Sequence, residues 1–516
     1  MTVSSSNGPP VTQLRAEPSL DSPNYDSLIL VVSPDQKISS NILSKAVSAA
    51  LELDPALKTE LALLPVQLPA KRFIYSPTGP VDPDYDDVRV FQTAGAAGIK
   101  RALKAGSKRP LLVLEENQTF ANGPLVTLLE VLRSLYTPLE VREHDPSKTQ
   151  KVDYLGVWTN NEAQTQSLVQ LAAVIESGKR VAYDIGGADP ERMAPPRVEE
   201  YVTDLFANSS IKVEVISDIQ RIKKEYPLFE AVNRAASSQD RHKGRIIFLE
   251  YQPPETPKET LFLVGKGVTY DTGGADVKVG GHMVGMSRDK CGAAAVLGFL
   301  QVVNLLQPKN VRVVAGVGIV RNSIGSNSYV ADEVITARSG ARVRIINTDA
   351  EGRMIMADIL CRFKEEALNA INPHLYTIAT LTGHAVLTVG IGYSIVVDNG
   401  PAYKAGHSRK LQQTSEVIGD PFEVSTLKNV DITEHRGVIE GDDVVQGQNK
   451  PSTQSMRGHQ GPVAFLLLAS GLDKYGSGSD KPIKYSHFDI AGSSGDFPAH
   501  PTGASITALA QHYILK

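Results

Sequence analysis

Short apolar runs alternate along the chain with stretches whose apolar residues recur every three or four positions. An apolar run predicts a strand, and the three-to-four spacing predicts an amphipathic helix. In the first third of the chain the predicted strands are 27–32, 72–75, 88–91, 110–114 and 154–158, and the predicted helices are 42–51, 96–105 and 125–136. This alternation predicts a smaller N-terminal α/β sandwich over residues 26–165.

The remainder of the chain has longer and more uniformly apolar strands. A helical pattern at 162–178 leads into it; the predicted strands are 246–249, 261–264, 311–320, 376–381 and 394–397, and the predicted helices are 292–306, 353–368 and 462–475. Continuous apolar runs are typical of strands covered on both faces. We therefore predict a larger C-terminal α/β domain over residues 166–516, with a mixed central sheet covered by helices.

Length and composition agree with two folded domains. The chain has 516 residues, of which 41% are hydrophobic and 21% charged. Single hydrophobic cores stop growing at roughly 250–300 residues, so a chain of this length divides. Residues 1–25 are rich in Ser, Pro and Asn and lack the helical and strand patterns; we predict that they form a disordered tail.

Charge and cysteine content narrow the functional classes. A net charge of −4 gives no overall attraction to nucleic acid or anionic lipid. The two cysteines, Cys291 and Cys361, lie in predicted buried helices rather than in a disulfide framework, which indicates a reducing compartment. We find no apolar run of the roughly 20 residues that a bilayer span needs. These features predict a cytoplasmic protein that binds neither membranes nor nucleic acid.

Ionisable residues are concentrated in a first segment that follows a predicted strand. Lys266 and Asp271 lie among glycines at the end of the strand, and Lys278 and Asp289 precede a Gly-Ala-rich helix. Glycine lets the backbone approach a bound group closely. Because α/β sheets bind ligands at their strand ends, this segment is a candidate site.

A second segment turns sharply from a strand into a helix. Asp349 and Glu351 are two residues apart, so in an extended turn both carboxylates can point the same way. Arg353 follows near the helix start, where the macrodipole disfavours a cation, and we expect it to have an anionic partner.

Carboxylates from three separate stretches would repel one another if they met without a cation. Four carboxylates suffice for two divalent ions at the usual separation of roughly 3.5–4 Å, in a site that polarises a carbonyl and activates water. An oxygen-rich set of ligands suits Zn²⁺ or Mn²⁺, and also Mg²⁺. The two segments therefore predict a metal-dependent hydrolytic site.

These segments resemble the leucyl (cytosol) aminopeptidase family. The resemblance is carried by Asn347-Thr-Asp-Ala-Glu-Gly-Arg353 and by Val264-Gly-Lys-Gly-Val-Thr-Tyr-Asp-Thr-Gly-Gly274 with Lys278 and Asp289. Further similar stretches are Ala379-Thr-Leu-Thr-Gly383, His487-Phe-Asp-Ile-Ala-Gly492 and Pro501-Thr-Gly503. The similarity covers most of the second domain, whereas the first domain matches only in kind and position.

The resemblance implies an activity and a role for each matching residue. It implies release of an N-terminal, leucine-like amino acid from a peptide by a metal-activated water. Lys266, Asp271, Asp289, Asp349 and Glu351 would bind two metal ions; Lys278 and Arg353 would be catalytic, with bicarbonate as general base at Arg353; Met286, Asn347, Thr380, Leu381 and Gly383 would bind the substrate. It also implies a homohexamer, with an assembly or regulatory role for the first domain.

Other interpretations remain open at this point. The chain departs from the common family pattern at 279–283, 287–288 and 331–334, which indicates a divergent branch. The main alternative is a catalytically weak structural or regulatory oligomer of the same fold. Taken alone, Asp289 is more typical of a helix N-cap, and Gly265 with Gly267 lacks the dinucleotide-binding spacing. The histidines at 282, 384, 487 and 500 have no partner at zinc-site spacing and are predicted to be structural.

Overall fold

The computed structural model describes residues 8–515. The chain divides into two compact units. The first runs to Arg180 and includes Glu416–Gly419, and the second comprises Val181–Ser415 and the chain from Asp420 onwards. The predicted division at 165/166 lies 15 residues before the observed one. The observed division falls within one continuous helix, Glu162–Gly187, where no turn residue marks it.

The first unit is built on a six-stranded sheet. Its strands are β1 (Leu14–Ala16), β2 (Ser27–Val32), β3 (Ala62–Pro65), β4 (Arg72–Pro77), β5 (Pro110–Leu114) and β6 (Leu155–Trp158), in the order β1-β6-β5-β2-β4-β3. Its helices are α1 (Asn41–Leu53), α2 (Arg89–Lys104), α3 (Gly123–Ser134), α4 (Leu139–His144) and the first part of α5 (Glu162–Gly187). All strand pairs are parallel except β3 with β4, as expected for a sheet with helical crossovers.

Two predictions for this unit are wrong. Residues 88–91, predicted as a strand, form the start of α2, because the Asp87 carboxylate accepts a 2.8 Å hydrogen bond from the Arg89 backbone and Phe91 starts a buried helical face. The predicted disordered tail contains β1, which is ordered by parallel pairing of Leu14–Ala16 with β6. Residues 1–7 of that tail lie outside the described residues.

The second unit contains an eight-stranded mixed sheet, which confirms the predicted fold class. Its strands are β7 (Ile211–Ile216), β8 (Arg245–Tyr251), β9 (Glu259–Asp271), β10 (Val311–Asn322), β13 (Pro373–Ala379), β14 (Ser394–Asp398), β15 (Phe422–Thr426) and β17 (Lys484–Asp489), in the order β15-β14-β17-β13-β9-β10-β8-β7. The central strands β10, β9, β13 and β17 run parallel. The pairs β7–β8, β8–β10 and β14–β17 are antiparallel, and β15 runs parallel to β14. The second unit also contains a three-stranded sheet. Its strands are β11 (Val334–Thr336), β12 (Arg342–Arg344) and β16 (Val444–Val445), and they pair in the order β11-β12-β16.

Helices of the second unit cover this sheet. They are α6 (Pro195–Phe206), α7 (Ile219–Glu225), α8 (Pro227–Ala236), α9 (Cys291–Leu306), α10 (Glu351–Ala367), α11 (Gly383–Val389), α12 (Gly400–Lys404), α13 (His407–Glu416), α14 (Asn429–Glu434), α15 (Gln460–Ser470) and α16 (Ile506–Tyr513). The predicted helix 462–475 ends early, at Gly471, whose φ of 75° is the left-handed conformation that ends helices.

Helix α9 lies directly on the middle of the sheet. A Cβ on Gly265 would lie 2.7 Å from the Ala293 Cα atom, and one on Gly292 would lie 2.2 Å from the Ile378 carbonyl oxygen. Only glycine allows this approach of helix to strand. The contact places the residues just before α9 at the carboxyl ends of β9 and β13.

The stretch Met286–Leu306 is long and apolar enough to cross a membrane by length and composition, and 83% of its most apolar window is buried. The sequence has no uninterrupted apolar run of this length; the stretch qualifies because a 3₁₀ turn at Met286–Lys290 continues directly into α9. Burial within the protein accounts for its apolar composition, as in the core helices of other proteins.

Candidate active site

Strand β9 places Lys266, which pairs with Asp289, in the interior of the second unit. Lys266 is buried in the strand, and its Nζ donates to Asp289 Oδ1 at 2.6 Å and to the Thr380 carbonyl oxygen at 3.0 Å, and lies 3.1 Å from Glu351 Oε1. Gly352 lies against the lysine stem, where a Cβ would approach Cε to 2.5 Å. The lysine thus joins the ends of β9 and β13 to the start of α10.

Asp271 is the last residue of the same strand, and both of its carboxylate oxygens have partners. Its Oδ1 accepts hydrogen bonds from the Gly273 backbone at 2.9 Å and from Asn322 Nδ2 at 2.8 Å. Its Oδ2 lies 2.9 Å from Lys278 Nζ. One carboxylate oxygen is therefore satisfied by neutral donors and the other faces the lysine.

Asp289 lies in the 3₁₀ turn before α9 and is not the N-cap of that helix. Its Oδ1 accepts from Lys266 and from Thr380 Oγ1, the latter at 2.9 Å. The neighbouring side chains of Arg288 and Lys290 point the other way and donate to the backbone carbonyls of Ala499, at 2.6 Å, and Ala188, at 2.9 Å. These buried cations hold the turn so that the carboxylate points towards β9.

The turn after β12 delivers the second pair of carboxylates. Asn347 Oδ1 accepts from the Asp349 backbone at 2.8 Å, which shapes the turn, and Glu351 is the first residue of α10. A carboxylate is favoured at a helix N-terminus by the macrodipole. Lys278 Nζ bridges from Asp271 to Asp349 Oδ1, at 2.5 Å, and so links the two predicted segments.

The charges in this cluster do not balance. Within residues 8–515, the four carboxylates of Asp271, Asp289, Asp349 and Glu351 form ion pairs only with the two ammonium groups of Lys266 and Lys278. Burial, together with repulsion from Asp271 and Glu351, raises the pKa of Asp349 to about 7, and burial also raises the pKa of Asp289 and Glu351. A buried anionic cluster of this kind favours a cation.

Several carboxylate oxygens have room for such a cation. Asp289 Oδ2 and Glu351 Oε2 are buried without a hydrogen-bond partner within residues 8–515. Asp271, Asp289 and Glu351 each offer one oxygen, and the three oxygens lie within 4.8 Å of one another. Orphaned buried acceptors are costly unless an ion or water satisfies them, so the residues present fit a divalent metal.

Arg353 lies in the first turn of α10, and its side chain is half-buried with Nε enclosed. Nη1 donates to the Gln446 carbonyl oxygen at 2.9 Å, whereas Nε has no hydrogen-bond partner among the described residues. Burial lowers the pKa of Arg353 to about 10. The unpartnered donor leaves this side chain able to bind an anion.

The predicted ligands, catalytic residues and substrate contacts all line one cavity of about 890 Å³. The five predicted metal ligands, Lys278 and Arg353 are among its lining residues. The five predicted substrate contacts border the same space: Met286, Asn347, Thr380, Leu381 and Gly383. The structure thus brings every predicted site residue together.

Sequence reasoning missed the residues that support this site from a distance. Thr348 Oγ1 donates to the Gly273 carbonyl oxygen at 2.6 Å and accepts from the Asp276 backbone at 2.8 Å, which ties the two ligand segments together. Asp276 lies within the first charged segment and could have been identified there. Asn322, Gln446, His435 and the loop 448–458 carry no local signal.

The four histidines predicted to be structural lie outside the carboxylate cluster in the described part of the chain. His384 pairs with His459, their Nδ1 atoms 2.8 Å apart, and His487 Nδ1 lies 2.7 Å from Thr377 Oγ1. His282 lines the cavity, and His500 lies near Gly495 through its carbonyl oxygen.

Comparison with known proteins agrees with this arrangement. The sequence pattern of the cytosol aminopeptidase family, catalytic domain, matches residues 180–510. The chain is 47% identical over 487 residues to a putative aminopeptidase of Caenorhabditis elegans, covering 92% of each chain. It is 29% identical to a probable cytosol aminopeptidase of Streptomyces griseus, over 84% of this chain and 82% of that one.

Solved structures show the same fold. The leucyl aminopeptidase of Trypanosoma cruzi aligns over 97% of this chain and 96% of its own, with a TM-score of 0.81 and 18% identity. The bottromycin maturation enzyme BotP in complex with Mn aligns over 94% of this chain and 98% of its own, with a TM-score of 0.75 and 20% identity. The family match covers the unit that holds the carboxylate cluster, and the chain therefore belongs to the cytosol aminopeptidase family.

Proposed function

We propose that this protein is a metal-dependent aminopeptidase that releases an N-terminal, leucine-like amino acid from peptides. The observation that carries the proposal is the buried cluster of four carboxylates with only two lysines to neutralise them, and with unpartnered oxygens on Asp289 and Glu351. The family assignment supports the reaction class, and the site supports the dependence on metal.

Two divalent ions would be held by Lys266, Asp271, Asp289, Asp349 and Glu351. Lys266 is an ammonium ion paired with Asp289 and Glu351 in the metal-free site, and it would bind as a neutral amine, because an adjacent dication makes the loss of its proton favourable. When bound, they would supply Lewis-acid activation of the peptide carbonyl and of a water molecule. We propose Zn²⁺ or Mn²⁺, with Mg²⁺ as a third candidate, because carboxylate oxygens can ligate all three ions. One related fold was solved in complex with Mn.

Two basic residues would act on the substrate itself. Lys278 Nζ lies between Asp271 and Asp349, facing the cavity, where it would stabilise negative charge on the carbonyl oxygen of the peptide. Arg353, which lines the cavity, would hold an anion, for which we propose bicarbonate, and this anion would accept the proton of the attacking water.

The cavity wall supports an apolar first side chain. Met286, Leu381, Pro462 and Ala491 contribute apolar surface beside the carboxylate cluster. Such a surface binds a leucine-like side chain by burying it, whereas a charged side chain would lose its hydration there. Asn347, Thr380 and Gly383 would contact the peptide backbone.

We further propose that the chain acts in the cytoplasm as a homohexamer, and that the first unit serves assembly or regulation. The names of several relatives support the location, and the family resemblance supports the assembly. Sedimentation of the purified full chain tests the oligomeric state. A monomer at all concentrations would contradict the hexamer and leave the reaction class unaffected.

The alternative function is a catalytically weak structural or regulatory oligomer of the same fold. It is not favoured, because such a protein has no need to keep five ligand-type side chains, four of them buried and Asp349 half-buried, and all five are present around one cavity. A protein released from catalysis would replace the costly carboxylates, since an unbalanced buried charge destabilises the fold.

The decisive experiment is an assay of N-terminal amino-acid amides with the metal-free chain resupplied with Mn²⁺, Zn²⁺ or Mg²⁺. We expect cleavage only with metal, fastest for the leucine amide, and near loss of cleavage for Asp349→Ala. Equal rates for the parent and Asp349→Ala, or full activity in the presence of a chelator, would reject the proposal.

A further inference from the structure

The turn that delivers Asp349 and Glu351 is held by a side chain about one hundred residues away. Gln446 follows strand β16 and is fully buried. Its Oε1 accepts hydrogen bonds from the backbone nitrogens of Ile346, at 3.1 Å, and Asn347, at 3.0 Å. Its Nε2 donates to the backbone oxygens of Asn347, at 2.7 Å, and Ala350, at 3.0 Å.

These four bonds use the whole capacity of a primary amide, which has two donor hydrogens and two acceptor lone pairs. The side-chain oxygen and the side-chain nitrogen therefore each bond to two backbone groups of the turn. Within the described residues no other side chain makes as many bonds to it. Because the turn has neither regular strand nor helix pairing of its own, its shape depends on such side-chain bonds, of which Gln446 supplies four and Asn347 one.

The backbone of Gln446 is itself fixed and contacts another site residue. Its nitrogen donates to the Arg344 carbonyl oxygen at 2.8 Å, continuing the parallel pairing of β16 with β12. Its carbonyl oxygen accepts from Arg353 Nη1 at 2.9 Å. One residue thus connects the small sheet to the turn through its side chain and to the Arg353 guanidinium through its main chain.

A carboxylate in place of this amide would not serve. A glutamate offers only acceptors, so the oxygens of Asn347 and Ala350 would face another oxygen, and it would add negative charge beside a cluster that already has too much. A methionine of similar length would leave four backbone groups without partners. The chemistry of the site therefore specifies glutamine here.

We propose that Gln446 is a positioning residue for the metal site: it holds the 346–350 turn so that Asp349 and Glu351 point at the metal ions and keeps Arg353 in place beside them. The inference rests on the proposed function. Residues that orient metal ligands typically change metal affinity by about 10–100-fold when replaced, and we expect an effect in that range.

The test compares Gln446→Met and Gln446→Glu with the parent in the full-length chain. Mn²⁺ affinity is measured by titration calorimetry, melting temperature without metal by fluorescence, and kcat and KM with leucine amide. We expect Mn²⁺ binding to weaken about 10–100-fold in both variants. We expect kcat to fall with little change in KM, and the loss to be larger for the charged variant.

Gln301→Met provides the matched control, because Gln301 is an equally buried glutamine in α9. It should lower the melting temperature without changing Mn²⁺ affinity. Gln446 variants that lower the melting temperature but bind Mn²⁺ like the parent would overturn the positioning role. If Gln446→Met does not fold, the same comparison is made with Gln446→Glu.

Glu351→Gln separates failure of this inference from failure of the proposed function. Loss of Mn²⁺ binding in Glu351→Gln with unchanged binding in the Gln446 variants would reject only the positioning role. A parent chain that binds no Mn²⁺, Zn²⁺ or Mg²⁺ would reject both.

Discussion

The second unit contains two buried polar clusters that differ in how completely they are satisfied. In the first, the carboxylate cluster of the candidate active site, Asp289 and Glu351 keep oxygens without partners. In the second, which we call the Asp398 network, Asp398, His407, Tyr376, His374 and Ser486 form a ring of hydrogen bonds of 2.6–3.0 Å, and Tyr513 bonds to it through the Tyr376 hydroxyl. Both are buried on the same sheet.

The difference separates a structural cluster from a functional one. In the Asp398 network each carboxylate oxygen has a donor, from His407 and Ser486 on one side and the Ser408 backbone on the other, and hydrogen bonds from His407 and Ser486 hold the pKa of Asp398 below its usual value despite burial. Such a network stabilises a unique fold. An unbalanced cluster costs stability and is kept for a ligand.

The largest expected effect comes from neutralising one carboxylate of the active-site cluster. We expect Glu351→Gln to reduce kcat/KM for leucine amide by on the order of 10³-fold or more. The site would lose a metal ligand, and with it the stabilisation of the charge that develops in the transition state. The free energy of unfolding without metal should stay equal or rise, because repulsion in the cluster falls. A large loss of stability together with activity would indicate a structural role instead.

Removal of the carboxylate of the Asp398 network should instead lower stability and leave KM unchanged. Asp398→Ala removes the acceptor for His407, Ser486 and the Ser408 backbone. We expect the free energy of unfolding, measured by urea titration, to fall by about 3–5 kcal/mol, since buried partners are left unpaired. KM should be unchanged in the folded fraction. The exposed Asp35→Ala serves as control, and an equal effect in both would contradict the contrast.

Metal should stabilise the protein through the first cluster only. At a free Mn²⁺ concentration of 100 times the Kd, we expect about 2.7 kcal/mol of added stability over the chelated chain. The shift in melting temperature should disappear in Glu351→Gln and persist in a network variant, Ser486→Ala. A shift that persists in Glu351→Gln would place the metal elsewhere.

A smaller effect concerns buried neutral histidines beside these clusters. Burial, with His459 and Arg353 nearby, lowers the pKa of His487 to about 3. Because the unfolded histidine titrates near its usual 6.5, the unfolded state binds a proton that the folded state excludes, so stability present above pH 6.5 is lost as the pH falls towards 3. Between pH 6.5 and 5 this loss is about 2 kcal/mol.

We therefore expect His487→Asn to flatten the decline of unfolding free energy between pH 6.5 and 5, measured by urea titration at each pH. The exposed His144→Asn serves as control and should leave the slope unchanged. An unchanged slope in His487→Asn would show that this histidine does not cause the acid sensitivity.

Several features of the fold and the site were predictable because they are encoded locally. The alternation of apolar runs and helical spacing predicted the α/β class. The five strands and three helices predicted within the second unit all occur there, although β9 continues seven residues beyond its predicted end and β7, β15 and β17 were not predicted. Lys266, Asp271, Asp349 and Glu351 were identified because each follows a strand in a short run of glycine and charged residues, a context visible without knowledge of distant contacts.

Other features depended on contacts between residues far apart in the chain. Gln446 and Asn322 resemble ordinary polar residues until the sheets bring them against the Asn347–Ala350 turn and Asp271. The strand at Leu14–Ala16 forms only because its backbone pairs with the edge of β6. Local sequence encodes which groups carry charge and which segments can be strand or helix. Hydrogen-bond partners one hundred residues apart are decided by packing, which no short pattern records.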